Sequence, residues 1–313
     1  MEKWNVKKIL DWGIDYFKSK DVPQPRLSAE LLLASVLGLS RMDLYLNYSR
    51  VLTSDELKTY KGHILKRLEH IPIQYILSKA YFRNIRLYVD ENVLIPRPET
   101  ELIVEKSLEI AESILNEKQS ITIAEIGTGS GAIALSLYSE LKKRSEVDSG
   151  SRPGCTIIAT DSSIDALEVA RKNAQDILET EDLESLEFVQ CDILPEAGSF
   201  MFKKYCEKID IIISNPPYIR EDDFHSLPRE VREHEPRMAL VAGKTGLEVY
   251  KKILAVAAAY LTTESQAYIV LETDPIVSGG LFELVEGSID LGQALLEKDY
   301  NKKDRIIIAN RAL

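Results

Sequence analysis

Asn215-Pro216-Pro217-Tyr218 directly follows the apolar run Ile209-Asp210-Ile211-Ile212-Ile213-Ser214. Such a run reads as a buried parallel strand, and in open α/β sheets ligands sit just beyond the carboxyl ends of strands. Two consecutive prolines stop the strand, hold the backbone extended and remove two N–H donors. The Asn215 side chain and the Pro216 carbonyl are then left as acceptors beside the aromatic face of Tyr218. That arrangement suits a planar NH2 group. Its nitrogen is a poor nucleophile because the lone pair is delocalised, and accepting both N–H bonds favours pyramidalisation toward an electrophile. The plain alternative is a strand that ends in an ordinary Pro-rich turn.

Other strand ends supply further polar groups. The run Ile121–Ile126 leads into Gly127-Thr128-Gly129-Ser130-Gly131-Ala132, where glycines permit a tight turn and close backbone approach to a ligand ahead of a helix. With Ala132 the spacing satisfies the G-x-G-x-x-G/A fingerprint, so this turn alone fits a nicotinamide dinucleotide and S-adenosylmethionine equally. Asp161 ends the next strand, where a carboxylate could hydrogen-bond both ribose hydroxyls. It is also placed to cap the following helix, a role that Ser162 or Ser163 could fill instead. Asp192 ends the third strand and fits an ordinary turn as readily. Hydride chemistry needs a proton-transfer residue, and no His or Lys adjoins Asn215. Methylation of nitrogen uses Asn-Pro-Pro-Tyr directly, by positioning and electrostatics, with no covalent intermediate.

The elements that must position these groups fall into two patterns. From Trp4 to about His70 apolar residues recur at three- and four-residue spacings, as in Leu27, Leu31, Leu32 and Val36, with Thr53-Ser54-Asp55-Glu56 reading as a capped helix start. After Pro98 helices alternate with strands, the signature of a parallel sheet covered on both faces. The expected strands are Ile121–Ile126, Thr156–Thr160, Leu186–Gln190, Ile209–Ser214, Gln266–Leu271 and Arg305–Ala309; the expected helices include Glu99–Leu115, Ile133–Lys143, Ile164–Leu178 and Leu247–Leu261. Between the two patterns, Tyr81–Val89 and Val93–Ile95 flank Asp90-Glu91-Asn92 and predict a hairpin linker. The expected domains are thus a helical bundle over 1–78, a β-hairpin linker over 79–97 and a Rossmann-like domain over 98–313. Lys142–Gly154 reads as a solvated surface insertion, and Asp274–Asp290 is the least legible stretch.

Composition sets looser limits. A chain of 313 residues with 45% hydrophobic content supports a large packed core. The net charge of −11 argues against coating a nucleic-acid backbone, so no stable nucleic-acid binding is expected. Cys155, Cys191 and Cys206 form no C-x-x-C pair, and the four histidines lack metal-ligand spacing, so no metal is expected. No apolar run approaches the length of a membrane span, and the N-terminal stretch carries Asp11 and Asp15, which predicts neither membrane nor signal peptide and a cytoplasmic location.

The chain resembles the HemK/PrmC family, the protein-(glutamine-N5) methyltransferases that modify the Gly-Gly-Gln motif of peptide-chain release factors. The resemblance spans most of the chain. It is carried by Arg67 with His70–Leu77, Leu94-Ile95-Pro96-Arg97-Pro98-Glu99-Thr100-Glu101, Glu125–Gly131, Asn215–Ile219, Glu235–Leu240 with Gly246-Leu247, and Asp304–Ile308. The segment Pro96–Glu101 favours the release-factor branch over the related ribosomal-protein glutamine methyltransferases. The resemblance implies an α/β class I S-adenosylmethionine-dependent methyltransferase fold, Rossmann-like, with a mostly parallel seven-stranded sheet and a small N-terminal helical domain that docks the substrate.

It also implies roles. Glu125, Gly127, Thr128, Gly129 and Gly131 would form the turn that cradles the methionine end of S-adenosylmethionine, Asp161 would take the ribose, and Asp192 with Ile193 the adenine side. Asn215, Pro216 and Tyr218 would be the catalytic group, with Asn215 also touching the cofactor and Pro217, Arg97 and Thr100 shaping the glutamine pocket. Glu99 is open between the pocket mouth and the first turn of a helix. Glu235 and Arg237 read as a loop ion pair. The product would be S-adenosylhomocysteine, the partner a release factor, and the enzyme a monomer.

The sequence departs from the family pattern in places. Ser78 stands where the family usually has Gly, which predicts a changed turn; Ile193 replaces an aromatic found in some relatives, which weakens stacking on adenine; and Thr273-Asp274 replaces Ile-Gly after Glu272. Adenine-N6 methylation of DNA is the enzymatic alternative, because a flipped base presents a similar amino group. The acidic charge and the lack of an evident target-recognition domain count against it. A non-catalytic cofactor-binding adaptor is the alternative from another class.

Overall fold

In the computed structural model, which describes residues 4–148, 154–195 and 198–311, the helical spacing of the first stretch is realised as α1 (Val6–Lys18), α2 (Pro25–Leu37), α3 (Arg41–Leu46), α4 (Ser54–Leu68) and α5 (Ile73–Leu77). Local chemistry sets their ends. Ser40 with Asp43 and Thr53 with Glu56 form reciprocal capping boxes, and Gly38 ends α2 in a left-handed conformation. Phe17, Leu32, Leu33, Leu44 and Ile64 are all but fully buried between these helices. This unit comprises the described residues up to Lys79 together with Leu227–His234. The distant segment is bound electrostatically: Arg67, itself buried, donates to Glu230 at 2.6 Å and to the Ile71 carbonyl at 3.0 Å.

Ser78 does not change the turn that follows α5. It takes φ +49, the conformation Gly would supply, and Lys79 N–H still donates to the Gln74 carbonyl at 2.8 Å. The left-handed backbone is kept against the steric preference of an L-residue.

The second unit, Ala80–Ser226 with Glu235–Leu313, begins with β1 (Ala80–Phe82) paired antiparallel to β2 (Ile85–Leu87). The hairpin turn therefore lies at Arg83-Asn84, where Arg83 has φ +48, and not at Asp90–Asn92 as expected. A two-residue turn needs positive φ, and a single Arg-Asn step supplies it inside what reads as one long β run. Val93 and Ile95 form no strand; they are buried as irregular chain, so their apolar character marks burial and not pairing.

The chain continues through α6 (Glu101–Glu117), β3 (Ile121–Ile126), α7 (Ala132–Asp148), β4 (Cys155–Asp161), α8 (Ile164–Ile177), β5 (Leu186–Gln190), α9 (Phe200–Tyr205) and β6 (Ile211–Ser214). Then follow β7 (Ile219–Arg220), α10 (Arg229–His234), β8 (Val241–Gly243), α11 (Glu248–Tyr260), β9 (Tyr268–Glu272), α12 (Ser278–Glu286), β10 (Leu291–Lys298) and β11 (Asp304–Arg311). A seven-stranded sheet of order β10-β11-β9-β6-β3-β4-β5 results, parallel from β5 to β9, with β11 antiparallel to both its neighbours. Asp210 interrupts the apolar run before β6 for a structural reason. Its buried carboxylate accepts from Thr122 N–H at 2.8 Å and pairs with Lys118.

Two elements were not expected from the sequence. β10 is an edge strand written largely in helix formers, Gln293-Ala294-Leu295-Leu296-Glu297-Lys298, and only its pairing with β11 makes it extended. α12 contains Gly279 and Gly280, which mask the helical pattern of the stretch after Asp274. The expected surface insertion is helical at its start, because α7 runs on to Asp148 with Lys142 bonded to Asp182 at 2.7 Å; residues 149–153 lie outside the described residues. Among the described residues no helix is long and apolar enough to cross a membrane.

Ser78→Gly relieves a left-handed serine and should raise the unfolding free energy by about 0.5–1 kcal/mol, net of the extra chain entropy of Gly. Urea denaturation checks this, and a lowered midpoint would contradict the strain assigned to Ser78.

Candidate active site

The strand order reverses between β3 and β6, and register fixes what meets there. Ile126 pairs with both Thr160 and Ser214, and Asp161 pairs with Gln190, so four parallel strands end at nearly one level. The residues after those ends are the glycine turn, Asp161, Asp192 and Asn215-Pro216-Pro217-Tyr218. They border a cleft of about 300 Å³ whose lining includes Gly127, Gly129, Asp161, Asp192, Asn215 and Pro216. A crevice at such a switch point is where open α/β sheets bind ligands.

The three glycines have distinct jobs. All have positive φ, at +73, +54 and +81 for Gly127, Gly129 and Gly131. A Cβ at Gly127 or Gly129 would meet nothing within 4 Å, so bare backbone faces the open cleft. A Cβ at Gly131 would come within 3.0 Å of the Leu135 side chain and 3.4 Å of Ala170. Gly131 thus allows close packing at the start of α7.

Carboxylates brace the turn. Asp161 accepts from Gly129 N–H through one oxygen and from Ser163 N–H through the other, each at 2.9 Å. Ser163 is the cap of α8, since its hydroxyl accepts from Ala166 N–H; Asp161 is left at the cleft wall. Burial pushes the Asp161 carboxyl above the usual range, against the backbone N–H groups that lower it. Glu125 lies beneath the turn, outside the cleft lining, accepting from the Thr128 hydroxyl at 2.7 Å and from Ala134 N–H at 3.0 Å. Its burial is complete enough that desolvation outweighs both bonds and pushes the carboxyl to about 8. Thr128 and Gly131 lie outside the lining with it.

On the far side of the cleft, Asp192 is exposed and pairs with Lys252 at 2.7 Å, while Ile193 is buried and presents an aliphatic wall. Asn215 donates from Nδ2 to the Thr100 hydroxyl at 3.1 Å. Thr100 is buried and does not line the cleft itself. Tyr218 packs against the sheet core, and burial raises its phenol far above the usual range, so it stays neutral.

The ion pair expected between Glu235 and Arg237 is not made. Glu235 accepts from Arg97 at 2.6 Å and from Ile95 N–H at 3.3 Å, and Arg237 stacks over the Phe224 ring instead. A buried carboxylate takes the nearer bidentate partner and a backbone donor; a neighbour two residues away on irregular chain cannot reach both. Glu235 thereby ties the Pro96-Arg97 segment to the loop that brings Pro236 and Met238 to the cleft. Val93, Leu94, Pro236 and Met238 line the cleft without having been expected there; the family-like stretches around Leu94 and Glu235 were the available signal.

The raised Glu125 carboxyl has a consequence for stability. It is protonated when folded and ionised when unfolded between about pH 4.5 and 8, so unfolding releases a proton there and stability falls as pH rises through that window. Glu125→Gln removes this dependence. Its stability relative to the native protein should rise steadily from pH 5 to pH 8 in denaturant titrations, and a constant difference would contradict the raised carboxyl.

Residues 8–77 match the PrmC N-terminal domain family, and residues 117–262 match a methyltransferase domain family. A release factor glutamine methyltransferase of Chlorobaculum tepidum is 40% identical, covering 96% of this chain and 96% of its own length. Relatives of the same name in Rhodopirellula baltica and Bacillus subtilis are 32% and 33% identical, over 99% and 97% of this chain and 97% of each of theirs. Identity of this extent, end to end and across both units, means that the chain belongs to the release factor glutamine methyltransferase family.

Proposed function

We propose that this enzyme transfers a methyl group from S-adenosylmethionine to the side-chain amide nitrogen, N5, of the glutamine in the Gly-Gly-Gln motif of peptide-chain release factors. The observation that carries the reading is the adjacency of the glycine turn and Asn215 across the β3–β6 switch point. The relatives' shared name supports the substrate class.

The residues present fit the cofactor. Open space above Gly127 and Gly129 gives the methionine end an uninterrupted backbone cradle, and Asp161 keeps unused lone pairs at the wall for ribose hydroxyls. Asp192 and the aliphatic face of Ile193 would border the adenine. Glu125, Thr128 and Gly131 act from behind, by holding the turn in shape. When bound, S-adenosylmethionine supplies a sulfonium methyl, an electrophile that needs no metal or covalent enzyme intermediate.

The chain's own work is to aim the nitrogen. Asn215 Oδ1 and the Pro216 carbonyl accept the two N–H bonds of the glutamine amide, Pro217 keeps that backbone rigid, and Tyr218 walls the site. As positive charge builds on nitrogen, both acceptors strengthen their hold, so the stabilisation is greatest in the transition state. Thr100 orients Asn215, and Arg97, through Glu235, fixes the pocket mouth. The helical unit docks the body of the release factor. The reading makes the enzyme a cytoplasmic monomer with no stable nucleic-acid binding.

Asn215→Ala should lower methyl transfer to a release factor at least about a hundredfold, while S-adenosylmethionine binding measured by calorimetry is retained. An unchanged rate would remove Asn215 from the mechanism. The docking role predicts that kcat/KM for a whole release factor exceeds that for a short Gly-Gly-Gln peptide by about tenfold or more, chiefly through KM. Equal values for the two substrates would contradict it.

A further inference from the structure

Behind Asn215 lie polar groups that the methyl-transfer reading leaves unused. Glu272 ends β9, and the pairing of Ser214 with Leu271 sets it level with Asn215. It is 1% exposed. Its Oε2 has no hydrogen-bond partner among the described residues, and neither do Thr273 Oγ1 and Arg305 Nε. Thr100 stands between the two residues: its hydroxyl bonds the Glu272 carboxyl and accepts from Asn215 Nδ2 at 3.1 Å.

A hydroxyl has one proton to give. An ionised Glu272 can only accept, so Thr100 donates to it and is left to accept from Asn215. The Asn215 amide must then turn Nδ2 toward Thr100, which leaves Oδ1 for a substrate N–H. We propose that Glu272 is a positioning residue that sets, through Thr100, the orientation of the Asn215 carboxamide. This rests on Asn215 serving as an acceptor for the glutamine amide. A protonated Glu272 donates to Thr100, Thr100 then donates to Oδ1, and the turned amide offers NH2 to the substrate's own NH2. Donor meets donor, and the hold is lost.

The charged surroundings permit this switch near neutral pH. Burial is the largest influence on Glu272 and pushes its carboxyl up to about 7, with Glu99 acting in the same direction. The Thr100 hydroxyl, Arg305 on β11 and Arg97 ahead of α6 pull it down. Tyr218, and Tyr250 on α11, face it as neutral phenols, with Asp274 beside them. The carboxyl is therefore ionised, and the Asn215 orientation productive, above about pH 7; both are lost as pH falls through that value.

The test is the pH dependence of kcat/KM for a whole release factor, with S-adenosylmethionine affinity followed in parallel by calorimetry. The native enzyme should lose about tenfold per pH unit below about pH 7, as a single titrating group requires. Glu272→Gln should flatten this limb. Thr100→Val should flatten it and lower the rate at every pH, while Thr100→Ser restores both rate and limb. Cofactor affinity should not follow the limb in any of them. The role of Glu272 is overturned if Glu272→Gln keeps the native limb, or if cofactor affinity titrates along with the rate. Asn215→Ala separates the two levels: inactivity of that variant beside an unchanged limb in Glu272→Gln removes only Glu272, whereas a fully active Asn215→Ala removes the acceptor reading and the proposal with it.

Discussion

The pairing of Ile126 with Ser214 in adjacent parallel strands is the constraint on which the cleft depends. It puts the residue after each at the same height, so the glycine turn and Asn215 open onto one space. Hydrogen-bond register in a sheet is all-or-none, since a shift by one residue would turn every side chain to the opposite face. The buried isoleucines of β6 therefore enforce a geometry that is used several ångströms away. Chemistry of the proposed kind asks for little beyond this: a nitrogen and a methyl carbon held in line, with no group on the enzyme required to form a bond.

Buried carboxyl groups recur around that corner, and they do different work. Asp161 keeps contact with the cleft while both its oxygens grip backbone N–H groups of the turn and of α8. Glu125 is sealed under the turn, and Glu272 sits behind Asn215. For the latter two, desolvation outweighs the hydrogen bonds received, so both hold protons well above the usual carboxylate range. A neutral carboxyl can donate as well as accept. That makes Glu125 a brace of the loop and makes the state of Glu272 legible to its neighbour Thr100.

Much of the site could be read from the chain because its signals are local. Glycines with positive φ, a double proline after an apolar run and an aspartate at a strand end each impose a conformation on their own few residues. The sheet's central strands were legible for a similar reason, being continuous apolar runs buried on both faces. What could not be read depends on distant partners. β10 is extended only because β11 is beside it, the turn at Arg83-Asn84 interrupts an unbroken β pattern, and the departure at Ser78 leaves the turn intact because the surrounding bonds override the preference of serine. The partner of Glu235 is Arg97 across the sequence, not the neighbouring Arg237. The grouping of Leu227–His234 with the helical unit, held by Arg67 and Glu230, is likewise invisible to any window of local sequence.

The most direct measurement of the central claim is to incubate the enzyme and an intact release factor with S-adenosylmethionine carrying an isotopically labelled methyl group, then map the label by fragmentation mass spectrometry. The account predicts a single labelled methyl on the side-chain nitrogen of the Gly-Gly-Gln glutamine. Label on another residue, on an oxygen, or nowhere in the factor would contradict it.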